Sequence, residues 1–278
     1  DEGVSAYPKE VTAQMVLNFL SGGAAMNVFS HQIGAQFAIV DVGVAETVRH
    51  ENLISRKIRR GTRNFVIEDA MTDEEAYEAL TVGKEEATTL INNGAKCLIV
   101  GEMGIGNTTS ASALLAVITE KNLAELTGPG TGLTTEQMKV KQSVIERAIA
   151  ARKPDKNDPI DLVKKIGGFE IVAMAGAMLE AARNRIPIIV DGFICTVSAI
   201  IATKIDTRAS DYMLAGHQSA EPGHKAALEK LGKTPLLDLD MRLGEGTGAA
   251  LAFPIVQAAI KMLSEMATFS EAGVSEKE

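Results

Sequence analysis

The stretch "CLIVGEMGIGNTTSASALL", Cys97–Leu115, decides how the chain is built. Cys97–Val100 is short, aliphatic and ended by Gly101, the pattern of a strand buried on both faces of a parallel sheet. A glycine-rich turn follows, with Gly104 and Gly106 able to let backbone approach a ligand. Asn107 and Thr108 then open a helix, whose free N–H groups and dipole favour an anion. The turn is not a Walker loop, because no Lys follows its last glycine. It is not the dinucleotide fingerprint either, because Thr stands at position 109 where a glycine is needed. A tight strand-to-helix turn with an Asn/Thr cap is the alternative reading. Glu102 argues for more: a carboxylate inside the turn would repel a phosphate and is better suited to a cation or to hydroxyls.

The same rhythm recurs along the chain. "QFAIVDVGV" (Gln36–Val44) ends near Asp41 and Gly43, and "IPIIV" (Ile186–Val190) ends in Asp191-Gly192. Helical stretches separate these runs. Pro8–Leu20 repeats Val11, Met15 and Phe19 at helical spacing. A second helix starts at Thr72 or Asp73 and stops at Gly94. A third, Thr134–Arg152, opens with the capping-box pair Thr134 and Gln137. Glu170–Arg183 and Thr247–Met266, with Pro254 near its start, complete the set. Strands alternating with helices predict an α/β fold with an open, mostly parallel, Rossmann-like sheet flanked by helices. Residues 32–240 are expected to form the α/β nucleotide-binding domain. Residues 1–31 and 241–278 are expected to pair as a small helical domain. "KPDKNDP" (Lys153–Pro159) reads as a surface loop.

Composition narrows the function. The 278 residues suit one large domain, and 4% aromatics with no Trp predict an aliphatic core. A net charge of −8 repels a phosphate backbone and excludes nucleic acid as a partner. Cys97 and Cys195 lie in separate apolar runs and read as buried thiols of a reducing compartment. There is no CxxC pair, and the spacing of His217 and His224 matches no metal pattern, so no metal site and no cofactor are expected. His31 and His50 read as surface or cap residues. No signal peptide and no apolar segment of about 18 residues are read, which predicts a cytoplasmic protein without a membrane partner. The sequence starts at Asp1 with "DEGVSAYP", which is expected of a trimmed chain or a fragment.

Three more places could carry chemistry. In "VDGFICTVSA" (Val190–Ala199), Asp191 either caps the next helix or orients a ligand hydroxyl or a loop. In "GHQSAEPGH" (Gly216–His224), Ser219 and the backbone are the candidates for ligand contact. In "RLGEGTGAALA" (Arg242–Ala252), Glu245 is either a first-turn acid complementing a helix dipole or a reactive group. The flanking Gly244 and Gly246 give flexibility that a cap does not need and close access for a flat ligand. Lys141, inside a helix, would ordinarily be solvated; the loop Leu126–Gln137 before it offers a second rim for a pocket.

These segments occur in one order, "EGVSAYPKEVTAQMV", "GEMGIGNTT", "KIGGFEIVAMAGAMLEAA", "VDGFICTVSA", "GHQSAE" and "MRLGEGTGAALAFPIVQAA". Together they resemble the nicotinate-nucleotide–dimethylbenzimidazole phosphoribosyltransferase family of cobalamin lower-loop assembly, over nearly the whole chain. Family members carry a further segment before "EGVSAYP", so the small domain is expected to be incomplete at its N-terminus. The resemblance implies transfer of phosphoribosyl from nicotinate mononucleotide to 5,6-dimethylbenzimidazole, with nicotinate leaving and the configuration inverting from β to α. It implies Glu245 as the catalytic base. It implies Glu102, Gly104, Gly106, Asn107, Thr108, Lys141, Asp191, Gly192, Ser219, Leu243 and Gly244 as substrate-binding positions, with Ser219 on the nicotinate side. Tyr7, Gln14 and Met15 would line the acceptor pocket. The phosphate could sit at the helix start after Gly106 or beside Lys141. The resemblance also implies a homodimer. Two alternatives stay open: another benzimidazole, a purine or a phenol as acceptor, and an inactive nucleotide-binding homologue.

Overall fold

The structure, a computed structural model, describes residues 2–275. Asp1 and residues 276–278, which belong to the expected small domain, lie outside the described residues. The chain opens with α1 (Glu10–Leu20) and α2 (Ala25–Gln32), then β1 (Ile39–Asp41) and β2 (Leu53–Ser55). Next come α3 (Asp73–Asn92), β3 (Leu98–Ile99), α4 (Asn107–Thr119), α5 (Leu123–Leu126), α6 (Thr135–Arg152) and α7 (Pro159–Ile166). The last part holds α8 (Phe169–Arg183), β4 (Ile188–Val190), α9 (Phe193–Ile205), β5 (Met213–Ser219), α10 (Gly223–Leu231), β6 (Pro235–Met241) and α11 (Thr247–Glu265).

The main sheet is parallel, in the order β3-β4-β5-β6, with Leu98 opposite Ile188 and Ile188 opposite Met213. Its inner strand β4 is wholly buried, as a strand covered on both faces must be. The α/β alternation predicted for the sequence is present, with α8 and α9 packed on β4. Two strands of this sheet, and β2 outside it, were not read from sequence. β5 hides a glycine and two polar residues in its interior, and β6 is a mostly exposed edge strand that begins at Pro235. Proline is tolerated only at such an edge or strand start.

The expected strand at Gln36–Val44 is shorter and placed differently. β1 pairs in parallel with β2 alone, Ile39 opposite Leu53, outside the main sheet. The Asp41 carboxylate ends it by accepting the N–H groups of Gly43 and Val44, at 3.0 and 2.9 Å. Lys57 neutralises this buried acid at 2.9 Å. The "KPDKNDP" loop leads into a helix the sequence did not signal, α7. Asp158 caps it by accepting from Ile160 and Asp161, with Pro159 in its first turn. The capping boxes read at Thr72 and at Thr134 both form.

α11 corrects a further expectation. It is a 19-residue helix long and apolar enough to cross a membrane by length and composition. Its small residues Thr247–Ala250 and Ala252 are buried and pack on the sheet, which accounts for the apolar start. Ile260, Leu263 and Met266, further along, are exposed.

Candidate active site

The site forms around the start of α11. Three consecutive residues, Gly244, Glu245 and Gly246, have positive φ of 87°, 66° and 92°. For a residue with a side chain this left-handed conformation costs about 1–2 kcal/mol, and such strain concentrates at functional sites. The glycines beside Glu245 are therefore needed by the turn itself. The end of β3 lies hard against it: a Cβ on Gly101 would fall 2.3 Å from the Glu245 carbonyl oxygen.

Two elements hold this turn. Asp191, at the end of β4, accepts the N–H of Gly246 at 3.1 Å and of Ala249 at 2.9 Å. Of the two readings of Asp191, the bonds to the α11 turn favour the orienting one. Burial raises its carboxyl pKa, against the pull of His217 and of backbone donors including Gly192. The second element is α2, where the Met26 N–H points at Glu245 Oε2, 3.4 Å away. Glu245 is 6% exposed. Burial pushes its carboxyl up, the Met26 N–H opposes this, and the charge of Asp191 adds to it.

Glu102 stands behind the same turn. The Asn107 amide donates to its Oε2, and a Cβ on Gly244 would lie 2.6 Å from its Oε1. Its carboxyl is pushed up to about 7, first by burial and further by Glu170 and Asp191, with Asn107 and the Glu245 backbone pulling the other way. Asn107, the first residue of α4, thus serves as the clamp of this acid.

Lys141 is fully buried, against the ordinary expectation for a lysine on a helix. Its ammonium donates to Thr108 Oγ1 at 2.8 Å and to the Gly128 carbonyl at 3.2 Å. Burial pushes it down to about 8, and Glu221 opposes that shift. The two phosphate positions left open by the sequence therefore converge, because Thr108 belongs to the first turn of α4.

A cavity of about 810 Å³ gathers these groups except Lys141, whose ammonium is buried against Thr108 and Gly128 and does not line it. Glu102, Gly104, Gly106, Asn107 and Thr108 line it from the turn after β3, and Asp191, Gly192 and Ser219 from the ends of β4 and β5. Leu243, Gly244 and Glu245 form its third side, and Tyr7 and Met15 reach it from the N-terminal segment. Gln14 is exposed and lines neither this cavity nor its neighbour. That neighbour, about 1170 Å³, shares the wall of Glu102–Asn107 and Glu245. The N-terminal segment is tied down where Ala6 N–H donates to Thr131 Oγ1 at 3.0 Å and Ile105 N–H to Thr12 Oγ1 at 3.1 Å.

The histidines support the floor. His224 accepts the Ser219 N–H at Nδ1, 2.7 Å away, so its Nε2 carries the proton and donates to Thr196 Oγ1 at 2.8 Å. Burial pushes its pKa down to about 3, which keeps it neutral. A register irregularity at Gln218/Ser219 accompanies the turn of the chain toward the cavity. Val11, Thr12, Glu221 and Arg242 also border the site. Sequence reasoning passed over them because nothing local marks them. Among the described residues no cluster of His, Cys, Asp and Glu is arranged to hold a metal.

A family described as phosphoribosyltransferase matches residues 1–274. The nicotinate-nucleotide–dimethylbenzimidazole phosphoribosyltransferase of Chloroflexus aggregans is 52% identical over 277 residues, covering 99% of this chain and 78% of the relative. The protein of the same name from Geobacter metallireducens is 50% identical over 275 residues, 99% of this chain and 78% of its own length. A crystal structure of CobT from Thermus thermophilus superposes with a TM-score of 0.95 at 47% identity, covering 99% of this chain and 83% of that one.

Proposed function

This chain belongs to the nicotinate-nucleotide–dimethylbenzimidazole phosphoribosyltransferase family, and from that premise we propose that the cavity beside Glu245 is where the reaction runs. The enzyme is a pentosyltransferase of cobalamin biosynthesis. It moves the phosphoribosyl group of nicotinate mononucleotide onto 5,6-dimethylbenzimidazole, giving α-ribazole 5′-phosphate and nicotinate.

The chemistry assigns work to few groups. The bond from the pyridinium nitrogen to the anomeric carbon breaks, and its electron pair neutralises the departing nicotinate ring. That departure needs no acid. The anomeric carbon gains positive charge, which a nearby carboxylate stabilises. The unprotonated azole nitrogen forms the new bond with its lone pair on the opposite face, and the N–H proton of the other ring nitrogen goes to Glu245. Glu245 suits the role because it is buried, raised in pKa and held by backbone rather than by a cation. Its place on the cavity wall is the observation that carries this reading. Glu102 faces the ribose as a part-protonated partner for hydroxyls. Lys141, Thr108 and the start of α4 take the 5′-phosphate. Tyr7 and Met15 border the acceptor ring, so residues 1–31 and 241–278 serve the acceptor side and residues 32–240 the nucleotide side. The protein acts in the cytoplasm as a homodimer in this reading, and the exposed apolar residues of α11 support a covered face.

The test mixes the protein with nicotinate mononucleotide and 5,6-dimethylbenzimidazole and follows both products. Nicotinate and α-ribazole 5′-phosphate should appear in equal amounts, and only with both substrates present. Nicotinate release without the azole product would sink the assignment. Met15 variants with larger or polar side chains should reorder a panel of acceptor bases and leave nucleotide binding intact.

A further inference from the structure

Glu221, between β5 and α10, has no role in the chemistry above, yet it sits in the same cavity. It is 7% exposed, and its Oε2 is buried without a hydrogen-bond partner. Burial raises its carboxyl pKa, and two cations oppose that rise, Lys141 from α6 and Arg242 from the loop after β6, together with the Gly130 N–H. Lys141 does not spend its hydrogen bonds on Glu221; they go to Thr108 and Gly128.

The turn at Gly128–Gly130 lies between the two charges. A Cβ on Gly128 would overlap Glu221 Oε2 and fall 2.7 Å from Pro222 Cδ, so this turn lies in close contact with the carboxylate. A Cβ on Gly130 would fall 3.4 Å from the Lys141 ammonium on the other side. An anion bound by Lys141 and Thr108 therefore enters a field that already contains a negative charge.

We infer that Glu221 is an internal counter-anion of Lys141 and Arg242, present to weaken the grip on the substrate's phosphate. This rests on the placement of the phosphate beside Lys141. The phosphate is carried unchanged from nicotinate mononucleotide to α-ribazole 5′-phosphate. Its attraction is thus uniform through the reaction and lowers KM without raising kcat. Tight holding would also delay departure of the product, a step that limits many enzymes. A carboxylate next to the cation moderates substrate and product alike. Glu221 is a positioning and tuning residue and touches no reacting atom.

The experiment measures inorganic phosphate binding by calorimetry at pH 7 and steady-state kinetics for nicotinate mononucleotide. Glu221→Gln keeps the shape and removes the charge. It should bind phosphate and the α-ribazole product about tenfold tighter and lower the KM, with kcat unchanged or reduced. Glu221→Asp restores the charge and should return phosphate affinity to within about threefold of the parent. Should Glu221→Gln melt early, Glu221→Met must show the same tightening. If Glu221 only braced the turn, its replacement would weaken binding; equal or weaker phosphate affinity in Glu221→Gln overturns the inference. So does a Glu221→Asp variant as tight as Glu221→Gln. Lys141→Met separates the two levels of the argument. Its phosphate binding should be lost. Parent-like affinity there removes both the phosphate placement and the inference, whereas loss there with no tightening in Glu221→Gln removes the inference alone.

Discussion

The Asp191 carboxylate accepts the backbone N–H of Gly246 at 3.1 Å, across 55 positions of sequence, and so fixes the turn that carries Glu245. Through Ala249 it also closes the free end of α11. Asp191→Ala leaves two buried donors without an acceptor, at a cost of about 1–3 kcal/mol each in the worst case. The expected outcome is a lowered melting temperature and a kcat reduced by at least about tenfold, as the strained turn relaxes. Full turnover in this variant would show that Glu245 is placed without Asp191.

Glu245→Gln should fold, bind nicotinate mononucleotide and lose on the order of 10²–10⁴ in turnover. Its carboxyl titrates above the ordinary value because it is buried. The parent's rate should therefore fall as pH drops through that raised pKa. The stability sign is opposite. A folded pKa above the unfolded one favours the protonated form, so its contribution is present at low pH and lost as pH rises. At neutral pH, Glu245→Gln should melt at or above the parent temperature.

Glu102 gives a second pH signature. With a folded value of about 7 against an ordinary 4.5, its stabilising contribution is complete below about pH 4.5 and gone above about pH 7. Melting curves of Glu102→Gln and parent should coincide at pH 5 and separate at pH 8.5, with the variant more stable. Nucleotide affinity of the parent should change near pH 7 and be flat there in the variant. Coincident curves at both pH values would mean that Glu102 is not held in this environment.

Lys141→Met should separate binding from stability. The buried ammonium, pushed down to about 8, opposes folding at neutral pH, an effect that vanishes above its unfolded pKa of about 10.4. The variant should melt no lower than the parent at pH 6.5. Affinity for nicotinate mononucleotide should drop by on the order of 10²-fold, since a buried charge partner of the phosphate is gone. In the parent that affinity should decline as pH rises through about 8.

Gly106 has φ of 93°, and a Cβ there would meet nothing within 4 Å. The space belongs to the cavity. Gly106→Val places a β-branched side chain in a left-handed conformation and fills ligand space. Calorimetry should show at least a tenfold loss of nucleotide affinity, alongside a stability loss of about 1–2 kcal/mol from the strained backbone. Unchanged affinity would put the nucleotide elsewhere.

The sequence by itself determined the local features of this protein. Aliphatic runs ended by Gly101 and by Asp191-Gly192 marked strand ends. Thr72 and Thr134 marked helix starts, because a cap and its N–H partners lie within three residues. The order of the glycine-rich segments was enough to identify the family. The tertiary structure alone decided the rest. β5 and β6 went unread because one hides polar residues in a buried strand and the other is an edge exposed to solvent. Lys141 reads as a surface lysine until α4 and the Gly128 turn close over it. Asp191 faces two helix starts, and its bonds to Gly246 and Ala249 depend on how β4 sits beside α11. Periodicity and capping act over a few residues of chain, whereas burial and the charges that shift a pKa come from groups the fold brings together from far apart.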